Sequence, residues 1–156
     1  DKNYGSLTME STTNSIVAVV QSNRKEGTTN LGFSSSAVNI GNAKTKLVCP
    51  ALVFQQTNDY QSGINVYSTG GSGTIKSYWV EANTNTTHSV DQSGTDGTSS
   101  NFLSAGLAVS GDIPTNFVGS VYFEAQGAGQ KLVGLVNNTR RKTLALDTQY
   151  VCTSYE

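Results

Sequence analysis

Cys49 and Cys152 are the residues whose chemistry the sequence constrains most tightly. Each lies in an apolar, strand-like run, residues 46–54 and 143–153. In an oxidising compartment the two would close a loop of roughly 100 residues, contributing about 4–5 kcal/mol on the chain-entropy account. The alternative is a pair of buried thiols, since a free cysteine packs as a small hydrophobe. The setting of both residues in strand-like runs and the composition around them point to a disulfide. With a single histidine in the chain, these two cysteines do not make a structural zinc site.

Catalytic constellations are thin. His88 is the one histidine, followed by Asp91 and Asp96 in a long polar segment, residues 82–101. A nucleophile relay needs a base held by an orienting carboxylate on a rigid frame, and this segment reads as a loop without one. Glu81 and Glu124 end two candidate strands. A glycosidase would need two such carboxylates at a fixed separation across a cleft, and solvated strand ends explain them equally well. Asp91 and Asp96 lack the acidic spacing of a calcium loop. Residues 69–74, Thr-Gly-Gly-Ser-Gly-Thr, lack the lysine and following helix of a phosphate loop, and are expected to form a hairpin turn. The reading is a chain that is not an enzyme, with no metal site and no cofactor.

Binding chemistry has more to work with. Tyr60, Tyr67, Tyr78 and Trp79 fall in one stretch, and aromatic rings can stack on the faces of sugars. Arg140 and Arg141, followed by Lys142, form the only basic cluster and could contact an acidic partner or a glycan. Core filling for the aromatics and a solvated hairpin tip for the basic residues are the simpler alternatives. Asn85 and Asn137 each begin an Asn-x-Thr acceptor pattern for N-glycosylation, and both are expected in loops.

The elements that must position these residues are strands. No segment carries a helical apolar repeat over three turns, whereas period-two alternation recurs along the chain. Candidate strands cover residues 15–20, 47–54, 63–68, 74–81, 102–109, 116–124, 131–136 and 143–153. In the last, Leu144, Leu146, Tyr150 and Cys152 share one face, which aims Cys152 at the core. Pro50 cannot donate a ladder hydrogen bond, so its strand should be an edge or be bulged there. Eight to ten short strands separated by glycine-rich turns predict a single all-β domain, an antiparallel sandwich or jelly roll, without internal repeat. Residues 1–12, with Leu7 and Met9 alternating against hydroxyls, read as a first strand or a free arm. Residues 13–156 read as the domain itself.

Composition limits the partners. Of 156 residues, 13% are charged and the net charge is −1, which argues against nucleic acid or an anionic membrane, both of which need a basic surface. No run approaches the ~20 apolar residues of a membrane span. The surface must be built from hydroxyls and amides, as on many secreted β-proteins. The expectation is an extracellular or cell-surface structural or adhesive subunit, pilus-like, a fimbrium-type assembly joined through strand addition by the Leu7–Met9 arm. Its partners would be copies of itself or other surface proteins. The alternative is a secreted, lectin-like module that binds a glycan or receptor.

Overall fold

The computed structural model describes residues 7–13, 16–26, 29–54, 60–140 and 148–155, and for residues 20–26, 29–36, 51–54, 60, 139–140 and 148 the backbone alone. Arg141, Leu144 and Leu146 lie outside it. In chain order the elements are β1 (Val19–Glu26), β2 (Thr29–Ser36), a single 3₁₀ turn (Ile40–Asn42), β3 (Lys46–Phe54), β4 (Tyr60–Thr69), β5 (Gly73–Glu81), β6 (Thr87–Gly94), β7 (Ser99–Leu103), α1 (Ser104–Ser110), β8 (Val118–Ala125), β9 (Lys131–Arg140), β10 (Thr148–Val151) and β11 (Thr153–Ser154).

Among the described residues, nine strands form an antiparallel sandwich. One sheet runs β10-β9-β4-β7 and the other β11-β3-β8-β5-β6, while β1 and β2 pair with each other in a separate two-stranded sheet. The alternation read from the sequence sets the core. Ile64 and Val66 from β4, and Leu132 and Val136 from β9, face Ile75 and Trp79 from β5 and Val121 and Phe123 from β8, all buried. Phe102 meets Phe123 edge-on at 5.0 Å. Phe117 closes one end of the core against Trp79 at 5.6 Å. Such edge-to-face contacts add about 0.5–1.5 kcal/mol to the burial of each ring pair.

Cys49 and Cys152 are bonded, with their Cα atoms 4.4 Å apart. Residues 148–155 are not one strand. The chain leaves the β10–β9 ladder at Val151, and beyond Cys152 it pairs with β3 in the other sheet, Thr153 opposite Val48. Cys152 is the crossing point, where its backbone N–H donates to Gly134 O at 2.9 Å. The proline effect expected at Pro50 appears as a register irregularity between Cys49 and Val53 in the β3–β8 ladder. Because β11 covers its other side over Leu47 and Val48, β3 is bulged rather than an edge.

Three further expectations are corrected. Residues 82–101 are not a loop: they contain all of β6 and the start of β7. Both are edge strands, held by backbone ladders to β5 and β4. Val90 is the one aliphatic residue in β6, so no apolar alternation marks it. Residues 102–109 are not one strand either. The chain turns at Leu103 into α1, a seven-residue helix ended by Gly111 in the left-handed conformation at φ 83°. The helix is docked by the buried Ser104, whose Oγ accepts from Ser62 N at 2.9 Å.

Residues 70–72 make no hairpin, because β4 and β5 belong to different sheets. They are one of three crossings at the same end of the sandwich, with residues 95–98 and 126–130. The glycines there permit close approach. A Cβ on Gly71 would stand 2.4 Å from Ala128 O, and one on Gly73 would stand 2.4 Å from Gly127 Cα. The buried Gln130 ties the crossings together. Its Nε2 donates to Ser68 Oγ (3.1 Å) and Gly73 O (3.4 Å), and its Oε1 accepts from Gly127 N (2.9 Å).

Candidate functional site

Period two in β5 sends Ile75, Ser77 and Trp79 inward and Lys76, Tyr78 and Val80 outward. Trp79 is therefore no ligand contact: it is fully buried, and its Nε1–H donates to Ser77 Oγ at 3.0 Å. Tyr67 and Tyr78 are both half-buried on outer faces, but of opposite sheets. Tyr67 shares a hydrogen bond of 3.2 Å with Thr8 Oγ1. Tyr60 stands across from Arg140 in the β4–β9 register. The tyrosines and tryptophan of residues 60–79 thus do not converge on one site.

Tyr78 has different company. Register places it opposite Tyr122 of β8, and Lys76 opposite Glu124. On the other flank of β8, Lys46 stands opposite Glu124 and Val48 opposite Tyr122. After β11 the chain brings Tyr155 onto the same face, its ring 5.4 Å from that of Tyr122 at 87°. Glu124 is the centre of the group. Its Oε1 accepts from Tyr155 Oη at 3.1 Å, its Oε2 from Tyr78 Oη at 3.5 Å, and Lys46 Nζ lies 4.0 Å from Oε1. The ammonium groups also meet the rings, Lys46 at 5.9 Å from the Tyr155 centroid and Lys76 at 5.6 Å from that of Tyr78, within the range of cation–π attraction. Burial first, then the hydrogen bond to Glu124, raises the Tyr155 hydroxyl to about 12. It stays a neutral donor at physiological pH.

The outer face of the five-stranded sheet therefore carries three tyrosines around one carboxylate and two ammonium groups. Ring faces offer apolar contact, while the charged groups and phenol edges offer hydrogen bonds. That combination suits a polyhydroxylated ligand with C–H faces. The alternation in β8 marks Tyr122 as outward-facing, so it was open to discovery from sequence. Tyr155 was not, because it reaches the face only after the chain changes sheets.

The remaining candidates are dispersed. His88 lies in β6, its Nε2 2.7 Å from Glu81 Oε1. Thr84 Oγ1 donates to Glu81 Oε2 at 3.1 Å, so the hydroxyl is bonded to the carboxylate rather than to the histidine, unlike a nucleophile relay. The bond from His88 holds the Glu81 carboxyl below its ordinary value of 4.5. Glu81 is opposite Gly119, five positions along β8 from Glu124, or roughly 17 Å at the rise of a strand. That exceeds the separation of glycosidase carboxylates. Among the described residues, no three of His, Cys, Asp and Glu cluster as a metal site requires.

Asn85 is exposed at the β5–β6 turn, with φ 57°. Asn137 is not in a loop. It sits within β9, where its Oδ1 accepts from Gln149 Nε2 at 2.5 Å.

Fold and linkage define the class, a disulfide-tied antiparallel β-sandwich. No family model, curated protein or solved structure matches the chain. Among the described residues no helix is long and apolar enough to cross a membrane.

Proposed function

We propose that this chain is an extracellular adhesive module that binds glycans on the outer face of its five-stranded sheet. The observation that carries this reading is the meeting of Tyr78, Tyr122 and Tyr155 around Glu124, from three separate parts of the chain. Tyrosine supplies broad, rigid contact area with a polar tip at low entropic cost. Pyranose rings would stack on the exposed ring faces, and their hydroxyls would bond to Glu124, Lys46 and Lys76. The disulfide supports an oxidising location outside the cell. Glycan-array screening followed by calorimetry tests the reading. Tyr122→Ala and Tyr155→Ala should each weaken binding about ten-fold, equivalent to about 1.4 kcal/mol. An array blank at millimolar protein would end it.

A second reading, a subunit of a pilus-like surface assembly, is favoured by exposed apolar residues near the N-terminal side, Leu7, Met9, Ile16, Val17 and Val19. Electron microscopy of material from the native source tests it. Filaments that persist after deletion of residues 1–12 would remove the role of Leu7 and Met9.

A further inference from the structure

The chain contains an internal repeat, contrary to the expectation of none. Residues 5–11, Gly-Ser-Leu-Thr-Met-Glu-Ser, parallel residues 119–125, Gly-Ser-Val-Tyr-Phe-Glu-Ala, which are nearly all of β8. Residues 16–25, Ile-Val-Ala-Val-Val-Gln-Ser-Asn-Arg-Lys, parallel residues 132–141, Leu-Val-Gly-Leu-Val-Asn-Asn-Thr-Arg-Arg, which contain most of β9. Most positions that differ exchange similar side chains, and the order of the two blocks is the same.

The backbone repeats with the sequence. Val19 pairs with Ser36 and Val20 with Ser35, as Leu135 pairs with Val151 and Val136 with Tyr150. Immediately after β2, Ala37 N donates to Ala18 O at 2.9 Å. Immediately after β10, Cys152 N donates to Gly134 O at the same distance. The residue types at this joint change together. Gly134 faces the sulfur of Cys152, where a Cβ would come within 2.8 Å. At the joint of the first block there is no cysteine: Ala18 and Ala37 stand in place of the glycine and cysteine.

Burial does not repeat. Val121, Phe123 and Leu132 are 0% exposed in the sandwich core, whereas their counterparts Leu7, Met9 and Ile16 are 83%, 49% and 52% exposed. The first block has the alternation of core strands without a core to enter. It cannot enter the sandwich described above, because β8, β9 and β10 already occupy those places.

We propose that residues 5–37 are the closing strands, equivalent to β8, β9 and β10, of a second sandwich of the same kind. Its other half has the residue pattern of 38–118 and lacks closing strands of its own. Leu7, Met9 and Ile16 are core residues of that second sandwich, which has no disulfide at the crossing point. This goes beyond both readings of function: the tyrosine face plays no part in it, and it replaces a single donated strand with a three-strand block.

The test extends the full chain. A copy of residues 38–117 is fused directly ahead of Tyr4, with Cys49→Ala in the copy because Ala37 offers it no sulfur. Hydrogen exchange is then followed at residues 7–26. Entry into a cooperatively folded unit should slow those amides at least ~100-fold relative to the unextended chain, and Met9→Asp in the extended chain should reverse the effect. Unchanged exchange at residues 7–26 would overturn the proposal. A second measurement uses the chain as it stands: Leu7→Asp and Ile16→Asp should leave its Tm unaltered, whereas Val121→Asp and Leu132→Asp should abolish its cooperative melt. A drop in Tm with either of the first pair would place the block in the chain's own sandwich and overturn the proposal. So would a dimer of the unextended chain in which residues 119–140 lose protection, the mark of exchanged strands between copies.

Discussion

Gly134 lies against Cys152 so closely that an alanine Cβ would stand 2.8 Å from its Sγ and 3.1 Å from its Cβ. The disulfide and the glycine are therefore a coupled pair. Gly134→Ala in the oxidised protein should cost about 1–3 kcal/mol through overpacking. Removing the bond with Cys49→Ala and Cys152→Ala should cost about 2–5 kcal/mol. In that cysteine-free background the cost of Gly134→Ala should fall, since the 2.8 Å clash with the sulfur is gone and only the 3.1 Å approach to the Cβ at position 152 and the 3.3 Å approach to Leu47 remain, while alanine restricts the unfolded chain. Urea unfolding of the four proteins gives the coupling, and additive effects would refute it.

Gln130 is the second place where stability is concentrated. Gln130→Ala removes the partner of Gly127 N and opens a cavity among three crossings. A loss of about 2–4 kcal/mol is expected from the unpaired donor and the void together. Ser68→Ala, which removes one of the acceptors of Gln130, should cost only about 1 kcal/mol. Chemical denaturation that ranks the two alike would show that the amide is not central.

The Glu81–His88 contact gives an acid-side signature. The carboxyl of Glu81 is held below 4.5, chiefly by the hydrogen bond from His88. A lowered folded value means that the contribution is present above about 4.5 and is lost as pH falls through the folded value. Glu81→Gln should therefore lower the Tm above about pH 4.5 and flatten the profile on acidification below that point, where variant and parent converge. An acid limb as steep as that of the parent would refute the assignment.

On the alkaline side, burial raises Tyr150 to about 12, and burial with the Glu124 bond does the same for Tyr155. These groups contribute stability below their ordinary value of 10, and that contribution is lost as pH rises through about 12. Phenolate absorbance should show a step near pH 12, and Tyr155→Phe should reduce its amplitude.

Trp79 separates the core from the proposed glycan face. Being fully buried, it should emit at short wavelength and resist collisional quenchers. Ligand binding at Tyr122 should leave that emission unmoved. A ligand-induced shift as large as that on unfolding would mean that binding opens the core.

Much of the sandwich could be read from residue patterns, and the failures have physical causes. β5 and β8 are legible because central strands bury one face, so Ile75 and Trp79, or Val121 and Phe123, alternate with polar neighbours. β6 escapes because an edge strand is held by its backbone ladder and needs only Val90. α1 escapes because seven residues with one buried leucine are too short to show a helical period. The turn at Gly70 resembles a hairpin in sequence because local pattern does not reveal a change of sheet. The same blindness hid Tyr155. Trp79 shares the inward parity of Ile75, and that parity marks it as core rather than ligand surface.

The crossing at Cys152 also governs how the domain would carry force. A pull applied beyond Tyr155 meets the covalent bond to Cys49 before it can strip β10 from β9. The load passes into the middle of β3, a strand that is hydrogen-bonded on both sides near that point. Tension is thereby delivered as shear across the five-stranded sheet rather than as a peel from its edge, and the last strands act as an anchor point for the whole fold.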